Sequence, residues 1–252
     1  MSDEALVLRD DADGVCTLTL NRPGQRNAVN RDLFRAFRAH VRDIESHGDD
    51  VAVLVVTGAG GHFCAGHDLK SPPHPDALGW LRQEMLTLER LTALPQPVIA
   101  KVQGSCYTGG LEFALSADFI VCGESARFAD THGKWGLVPG WGLSQRLPRR
   151  IGQAKALEMM LTCRPYTGEE AAAMGLANYC VPDDALDARV SEITSLIRGN
   201  SRHSNAENKR LIYDTDGMAL GAGLSHELMR NAGFDPAMRK KGEPIGAARK
   251  TG

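Results

Sequence analysis

Val98-Ile99-Ala100-Lys101-Val102-Gln103-Gly104-Ser105-Cys106-Tyr107-Thr108-Gly109-Gly110-Leu111-Glu112 reads as strand, glycine-rich loop and helix start in succession. Val98 to Val102 is apolar enough for a buried strand, and Gly109 to Ala117 reads as a short buried helix. A helix that opens directly after a strand and loop offers free backbone N–H groups. These carry partial positive charge and suit a developing oxyanion. Glu112 falls in the first helical turn. The helix dipole and capping alone favour a glutamate there; a base beside an oxyanion site is the other reading. The helix end is expected to lower its pKa.

The same pattern recurs upstream. Val51 to Thr57 is a continuous apolar run, followed by a glycine-rich loop from Gly58 to Asp68. Ala5 to Arg9 and Val15 to Leu20 read as a hairpin around a turn at Asp10 to Gly14. Leu33, Phe34, Phe37, Val41 and Ile44 recur at helical spacing between Asn30 and His47. A proline-rich segment, Ser71 to Pro75, precedes a helix from Asp76 to about Ala93, ended by Pro95-Gln96-Pro97. Asp118 to Cys122 is another strand. Helices are predicted at Gly152 to Leu161, Gly168 to Met174, Asp183 to Ile197, Asn205 to Asp214 and Leu220 to Asn231. Strands therefore dominate the first half and helices the second, an α/β pattern with no composition break and no repeat of 20–50 residues.

Composition removes several function classes. The 252 residues carry 29 Lys+Arg against 31 Asp+Glu, a formal charge of −2, so no basic excess points to nucleic acid or a membrane surface. Glycine is enriched, and eleven of the 27 glycines fall in the stretches 58–68, 104–110 and 133–142. No glycine precedes Lys-Ser or Lys-Thr in a phosphate-loop frame. Gly58-Ala59-Gly60 meets Phe63 where a dinucleotide fingerprint needs its third glycine, and G-x-S-x-G is absent.

Met1-Ser2-Asp3-Glu4 is acidic, so a secretory signal is not expected, and no run approaches the ~18 apolar residues of a membrane span. The six cysteines form no C-x-x-C pair. Buried reduced thiols of a cytoplasmic protein are the expectation. His62, His67 and Asp68 lack the spacing of a metal site, so no metal is expected.

Several segments in register resemble the crotonase (enoyl-CoA hydratase/isomerase) superfamily. Asn21-Arg22-Pro23 with Asn27-Ala28 resembles its N-R-P-x-x-x-N-A segment, and Phe63 to Lys70 its F-x-A-G-x-D-[IL] loop. Gly104 to Glu112, then Ala117-Asp118, resembles its G-G-x-E helix unit. Arg127-Phe128, Gly136 to Gly140, Arg146-Leu147-Pro148-Arg149 and Ala171 to Pro182 continue the likeness, which covers about residues 5–215.

The resemblance implies an α/β, crotonase-type ββα spiral core over residues 1–195. It implies a C-terminal helical oligomerisation region over 196–252, building a homotrimer or a dimer of trimers. It implies an acyl-CoA thioester ligand, with coenzyme A part of the substrate and no separate cofactor. The two family oxyanion donors fall on the backbone N–H groups of His67 and Gly109. Coenzyme A would lie along Arg26, Ala28, Ala65, Gly66, Asp68, Leu69 and Lys70.

Family hydratases use two glutamates. The first matches Glu112, but the second position, 20 residues later, is His132. Histidine donates and accepts protons near neutral pH, so a Glu112/His132 pair suits hydration of an enoyl-CoA. A single base also suffices to move a double bond, so isomerisation is the alternative, with a non-catalytic acyl-CoA binder as the third reading. Asp130 reads as a loop cap, and Trp135 and Trp141 as packing or pocket-lining residues.

Overall fold

The computed structural model describes residues 5–72 and 75–235. The acidic Met1 to Glu4, Pro73-His74 and the basic segment after Asp235, with Arg239-Lys240-Lys241 and Arg249-Lys250, lie outside the described residues.

The chain begins with β1 (Val7–Ala12) and β2 (Val15–Leu20), an antiparallel hairpin, followed by α1 (Arg31–His47), β3 (Val53–Gly58) and α2 (Ala77–Ala93). Next come β4 (Val98–Val102), β5 (Ser105–Tyr107), α3 (Gly109–Leu115), β6 (Phe119–Gly123) and β7 (Arg127–Ala129). The remainder holds α4 (Leu143–Ile151), α5 (Gln153–Thr162), β8 (Tyr166–Thr167), α6 (Gly168–Ala173) and β9 (Tyr179–Val181). Then follow α7 (Leu186–Arg198), α8 (Arg202–Asp214) and α9 (Leu220–Arg230).

Among the described residues one sheet has the order β1-β2-β3-β4-β6-β9, parallel from β2 onward; a smaller one has the order β5-β7-β8. The chain winds between them. β4, β5 and α3 form one turn, and β6 and β7, followed by α4, form the next. Each turn gives one strand to each sheet, in accord with the expected spiral.

The uninterrupted apolar run of β3 follows from coverage of both faces. Leu54 and Val56 enter the main core with Leu33, Phe34, Phe37, Val41 and Ile44 of α1. Val53 and Val55 point the other way, into a second cluster with Ile99, Val121 and Leu186, Val190 and Ile193 of α7. Each such side chain contributes roughly 1.5–3 kcal/mol by leaving water. Asn30 caps α1, its side chain accepting from Leu33 N–H at 2.9 Å, and Asp76 caps α2 through Gly79 N–H at 2.9 Å.

The structure corrects the sequence reading in places. β1 runs through Asp10 and Asp11 to Ala12, because cross-strand pairing with β2 overrides the turn preference of the acidic cluster, and the turn contracts to Asp13-Gly14. Arg146 to Arg149 lies in α4, which Pro148 hides from periodicity. β5, β7, β8 and β9 are two or three residues long, too short to show alternation.

Candidate active site at the start of α3

The loop after β3 runs back along β5. Phe63 N–H donates to Gln103 O at 2.8 Å, Cys64 N–H to Ser105 O at 2.9 Å, and Tyr107 N–H to Cys64 O at 3.0 Å. This brings Gly66 onto the start of α3. Gly66 has φ 97°, and a Cβ there would lie 2.8 Å from Tyr107 O and 3.3 Å from Gly109 N. At Gly110 a Cβ would meet Cys64 O at 2.2 Å, so only glycine allows the two backbones to touch.

Two donors result. Val29 N–H donates to Gly66 O and Asp68 N–H to Val29 O, both at 2.8 Å, which turns the His67 N–H away from that bridge. The Gly109 N–H stands in the first turn of α3, where no intrahelical acceptor exists. Thr108, just before it, is held at φ 54°, strained for a β-branched residue. Its N–H donates to Ala129 O at 2.8 Å, and its hydroxyl lies 2.5 Å from that of Thr131 and accepts from Thr131 N–H at 3.2 Å. Thr108 thereby ties the Gly109 turn to the segment that carries His132.

All of α3 is buried, Glu112 included. Glu112 Oε1 accepts from the backbone N–H groups of Trp141 at 2.8 Å and Leu143 at 3.1 Å. Glu112 Oε2 faces His132 Nε2 at 4.0 Å. His132 Nδ1 lies 2.6 Å from Asp130 Oδ1, which also accepts the His132 backbone N–H at 3.0 Å. Asp130 is thus both the expected loop cap and the partner that orients the imidazole.

The expectation of a lowered Glu112 pKa is overturned: the carboxyl is pushed up. Burial is the largest cause and outweighs the Leu143 and Trp141 N–H bonds and the nearby His132; Asp130 adds to the rise. A carboxylate whose pKa is raised is the stronger proton acceptor once ionised.

One residue beside the site escaped the sequence reading. Glu84 of α2 is buried, and its Oε2 accepts the Trp141 indole N–H at 3.0 Å. Burial raises its pKa to about 7; the Trp141 and Trp80 indoles oppose the rise and Glu112 adds to it. An inward glutamate on an amphipathic helix is the available signal, although Trp141 as its partner is not legible locally. Trp141 is 3% exposed and packs on Phe34 and Phe113, whereas Trp135 is 62% exposed.

Arg26 to Ala28 and Ala65 to Lys70 lie side by side, joined by Ala65 N–H to Arg26 O at 2.9 Å. Asn27 is buried and ties this ledge inward, donating to Ala59 O at 2.9 Å and His62 O at 2.7 Å. Arg26, Leu69 and Lys70 are exposed on the ledge. Asp68 turns inward, pairing with Arg22 at 3.0 Å and accepting Lys70 N–H at 3.1 Å. His62 Nδ1 accepts Ser105 N–H at 3.1 Å. Among the described residues no group of three or more His, Cys, Asp or Glu side chains is arranged around a metal position.

The family model for enoyl-CoA hydratase/isomerase matches residues 10–242. The chain belongs to the enoyl-CoA hydratase/isomerase family. A peroxisomal Arabidopsis thaliana protein assigned as an enoyl-CoA hydratase is 31% identical over 245 residues, 96% of this chain and 91% of that protein. The crystal structure of an enoyl-CoA hydratase from Bacillus anthracis superposes with a TM-score of 0.85 at 32% identity, covering 89% of this chain and 88% of that one. A Thermobifida fusca YX protein in complex with acetoacetyl-CoA gives a TM-score of 0.81 at 26% identity, covering 89% and 92%. The crotonase fold therefore belongs to this chain, and with it the helical C-terminal region of this family.

Proposed function

We propose that this protein hydrates a 2-enoyl-CoA thioester, with Glu112 and His132 as its proton-transfer pair. The observation that carries the reading is the 4.0 Å gap between Glu112 Oε2 and His132 Nε2, with Asp130 fixing the far side of the imidazole. That gap accepts one water hydrogen-bonded to both groups, each at ordinary distance.

The His67 and Gly109 N–H groups take the thioester oxygen and stabilise the enolate. Glu112 removes a proton from the water as its oxygen adds to C3. The electron pair of the double bond passes into the enolate. His132 delivers a proton to C2 as the enolate collapses. Transfer from protonated Glu112 to His132 resets both groups, so the sum is addition of one water. The ledge of Arg26, Ala28, Ala65, Gly66, Asp68, Leu69 and Lys70 would carry coenzyme A, with Asp68 acting through Arg22. Acetoacetyl-CoA in the Thermobifida relative supports an acyl-CoA ligand. No cofactor beyond the substrate's own coenzyme A enters this scheme.

The proposal includes self-association to a trimer or dimer of trimers, supported by the exposed Leu220, Leu224 and Leu228 at helical spacing on α9. It also includes a reducing, cytoplasmic setting, supported by six free cysteines. No helix among the described residues is long and apolar enough to cross a membrane.

Purified protein should be given 2-enoyl-CoA and 3-enoyl-CoA esters of several chain lengths, following the conjugated thioester absorbance. Loss of absorbance with the 2-enoyl esters is expected. Appearance of absorbance from 3-enoyl esters alone would establish isomerisation instead, and no change with any ester despite CoA binding would establish a binder.

A further inference from the structure

We propose that Glu84 is a positioning residue for the Glu112 base, acting through Trp141. The proposal rests on the reading of Glu112 as a base and extends it to a carboxylate on a different helix.

Trp141 has one grip at each end. Its indole N–H donates to Glu84 Oε2 at 3.0 Å, and its backbone N–H donates to Glu112 Oε1 at 2.8 Å. The ring also fills the space beside both oxyanion candidates. A Cβ on Gly109 would strike Trp141 Cζ3 at 2.6 Å, and the His67 ring lies 6.1 Å away, centroid to centroid. Phe34 and Phe113 pack on the indole at 5.5 and 6.3 Å. These apolar contacts limit the room for the ring, but only the bond to Glu84 is directional.

The choice of residue argues for function. Glu84 is 2% exposed, and a carboxylate that far from water costs several kcal/mol unless its bonds compensate. Its Oε2 meets Trp141, yet no cation pairs with it. A leucine would serve stability better at this face of α2, where Thr87, Leu88 and Leu91 are the neighbouring buried residues. What the carboxylate adds is a fixed acceptor for the indole that carries the Glu112 hydrogen bond. The 140–143 backbone, with its bonds from Trp141 and Leu143 to the base, is then braced from α2. A misplacement of the order of 1 Å at a reacting group can cost about 100-fold in rate.

The test compares Glu84→Ala, Glu84→Gln, Trp141→Phe and the Glu84→Ala/Trp141→Phe double variant in the full chain. Two readouts are taken, steady-state kinetics and hydrogen exchange of the peptide spanning residues 137–145. Glu84→Ala is expected to lower kcat roughly ten- to hundred-fold with KM within about twofold, because the base is misplaced while the CoA ledge is untouched. Exchange at the Trp141 and Leu143 amides should rise about tenfold or more, in line with loss of a directional bond. Glu84→Gln keeps an oxygen acceptor for the indole and should recover most of both losses. Trp141→Phe keeps the backbone donor but loses the indole N–H, and should match Glu84→Ala. The double variant should be no worse than either single one.

Additive losses overturn the proposal, as does unchanged exchange at residues 141 and 143 in Glu84→Ala. If Glu84→Ala does not fold, Trp141→Phe decides: wild-type kcat and wild-type exchange there overturn it. The exchange readout needs no turnover. Failure of the hydratase reading would therefore show as an inactive wild type, separately from failure of the Glu84 brace.

Discussion

Trp141 donates its backbone N–H to Glu112 Oε1 at 2.8 Å across 29 residues of chain. The bond orients the carboxylate so that its other oxygen, Oε2, faces His132. It also favours the charged form, yet burial wins and the Glu112 pKa rises. The Glu112 carboxyl is therefore held in place by groups that burial has made costly to leave unpaired.

Glu112→Gln retains an oxygen that accepts from Trp141 and Leu143, so the fold should survive. It removes the proton acceptor. Hydration should fall at least 10²–10⁴-fold, the range for loss of general-base catalysis. Steady-state rates checked against an unchanged circular dichroism spectrum measure this; a variant at full rate would show that Glu112 is not the base.

The pH profile follows from the direction of the Glu112 shift. The active form is the carboxylate, and its pKa is raised, so kcat/KM should climb with pH through a value above the ordinary 4.5. His132→Ala should leave that rising limb and change the profile elsewhere. An identical profile in wild type and His132→Ala would remove His132 from proton transfer.

Glu84 should make stability depend on pH. Its folded pKa of about 7 lies above the ordinary 4.5, so the group favours folding most below about 4.5, and that contribution is lost as pH rises through 7. The span corresponds to about 3 kcal/mol at most. Glu84→Gln should therefore gain stability relative to wild type between pH 4.5 and 8, measured by urea unfolding. A wild-type-minus-variant difference that stays flat over this range would contradict the assignment.

Gly110→Ala places a Cβ 2.2 Å from Cys64 O, and backbone on both sides leaves no flexible atom to yield. The two donor segments should separate, with activity falling about 10²–10³-fold, as for loss of an oxyanion donor. Thermal unfolding should drop in parallel. An active, fully stable Gly110→Ala protein would mean that the Cys64 and Gly110 backbones do not meet this closely in solution.

Thr108→Val keeps the shape and removes the hydroxyl that joins Thr108 to Thr131. His132 follows directly after that join. We expect a loss of about 1–3 kcal/mol of stability from the orphaned Thr131 donor, with a lower kcat. Unaltered unfolding and kcat would assign the Thr108 hydroxyl no role in holding this segment.

The elements legible in sequence were those with internal periodicity. The Leu33, Phe34, Phe37, Val41 and Ile44 stripe, the helix starts at Asn30 and Asp76, and the apolar β3 and β4 runs are each set by neighbours a few residues away. The Gly109-Gly110-Leu111-Glu112 start was legible for the same reason, since its glycines and its glutamate act within one helical turn. Tertiary structure alone decided what Glu112 meets. Its pKa direction reversed because burial comes from distant elements. Its hydrogen bonds come from Trp141 and Leu143, and Glu84 is linked to it through an indole from another part of the chain. Local pattern specifies where backbone donors and a carboxylate occur. Desolvation and long-range hydrogen bonds, which have no signature in spacing, set the strength and direction of that carboxylate.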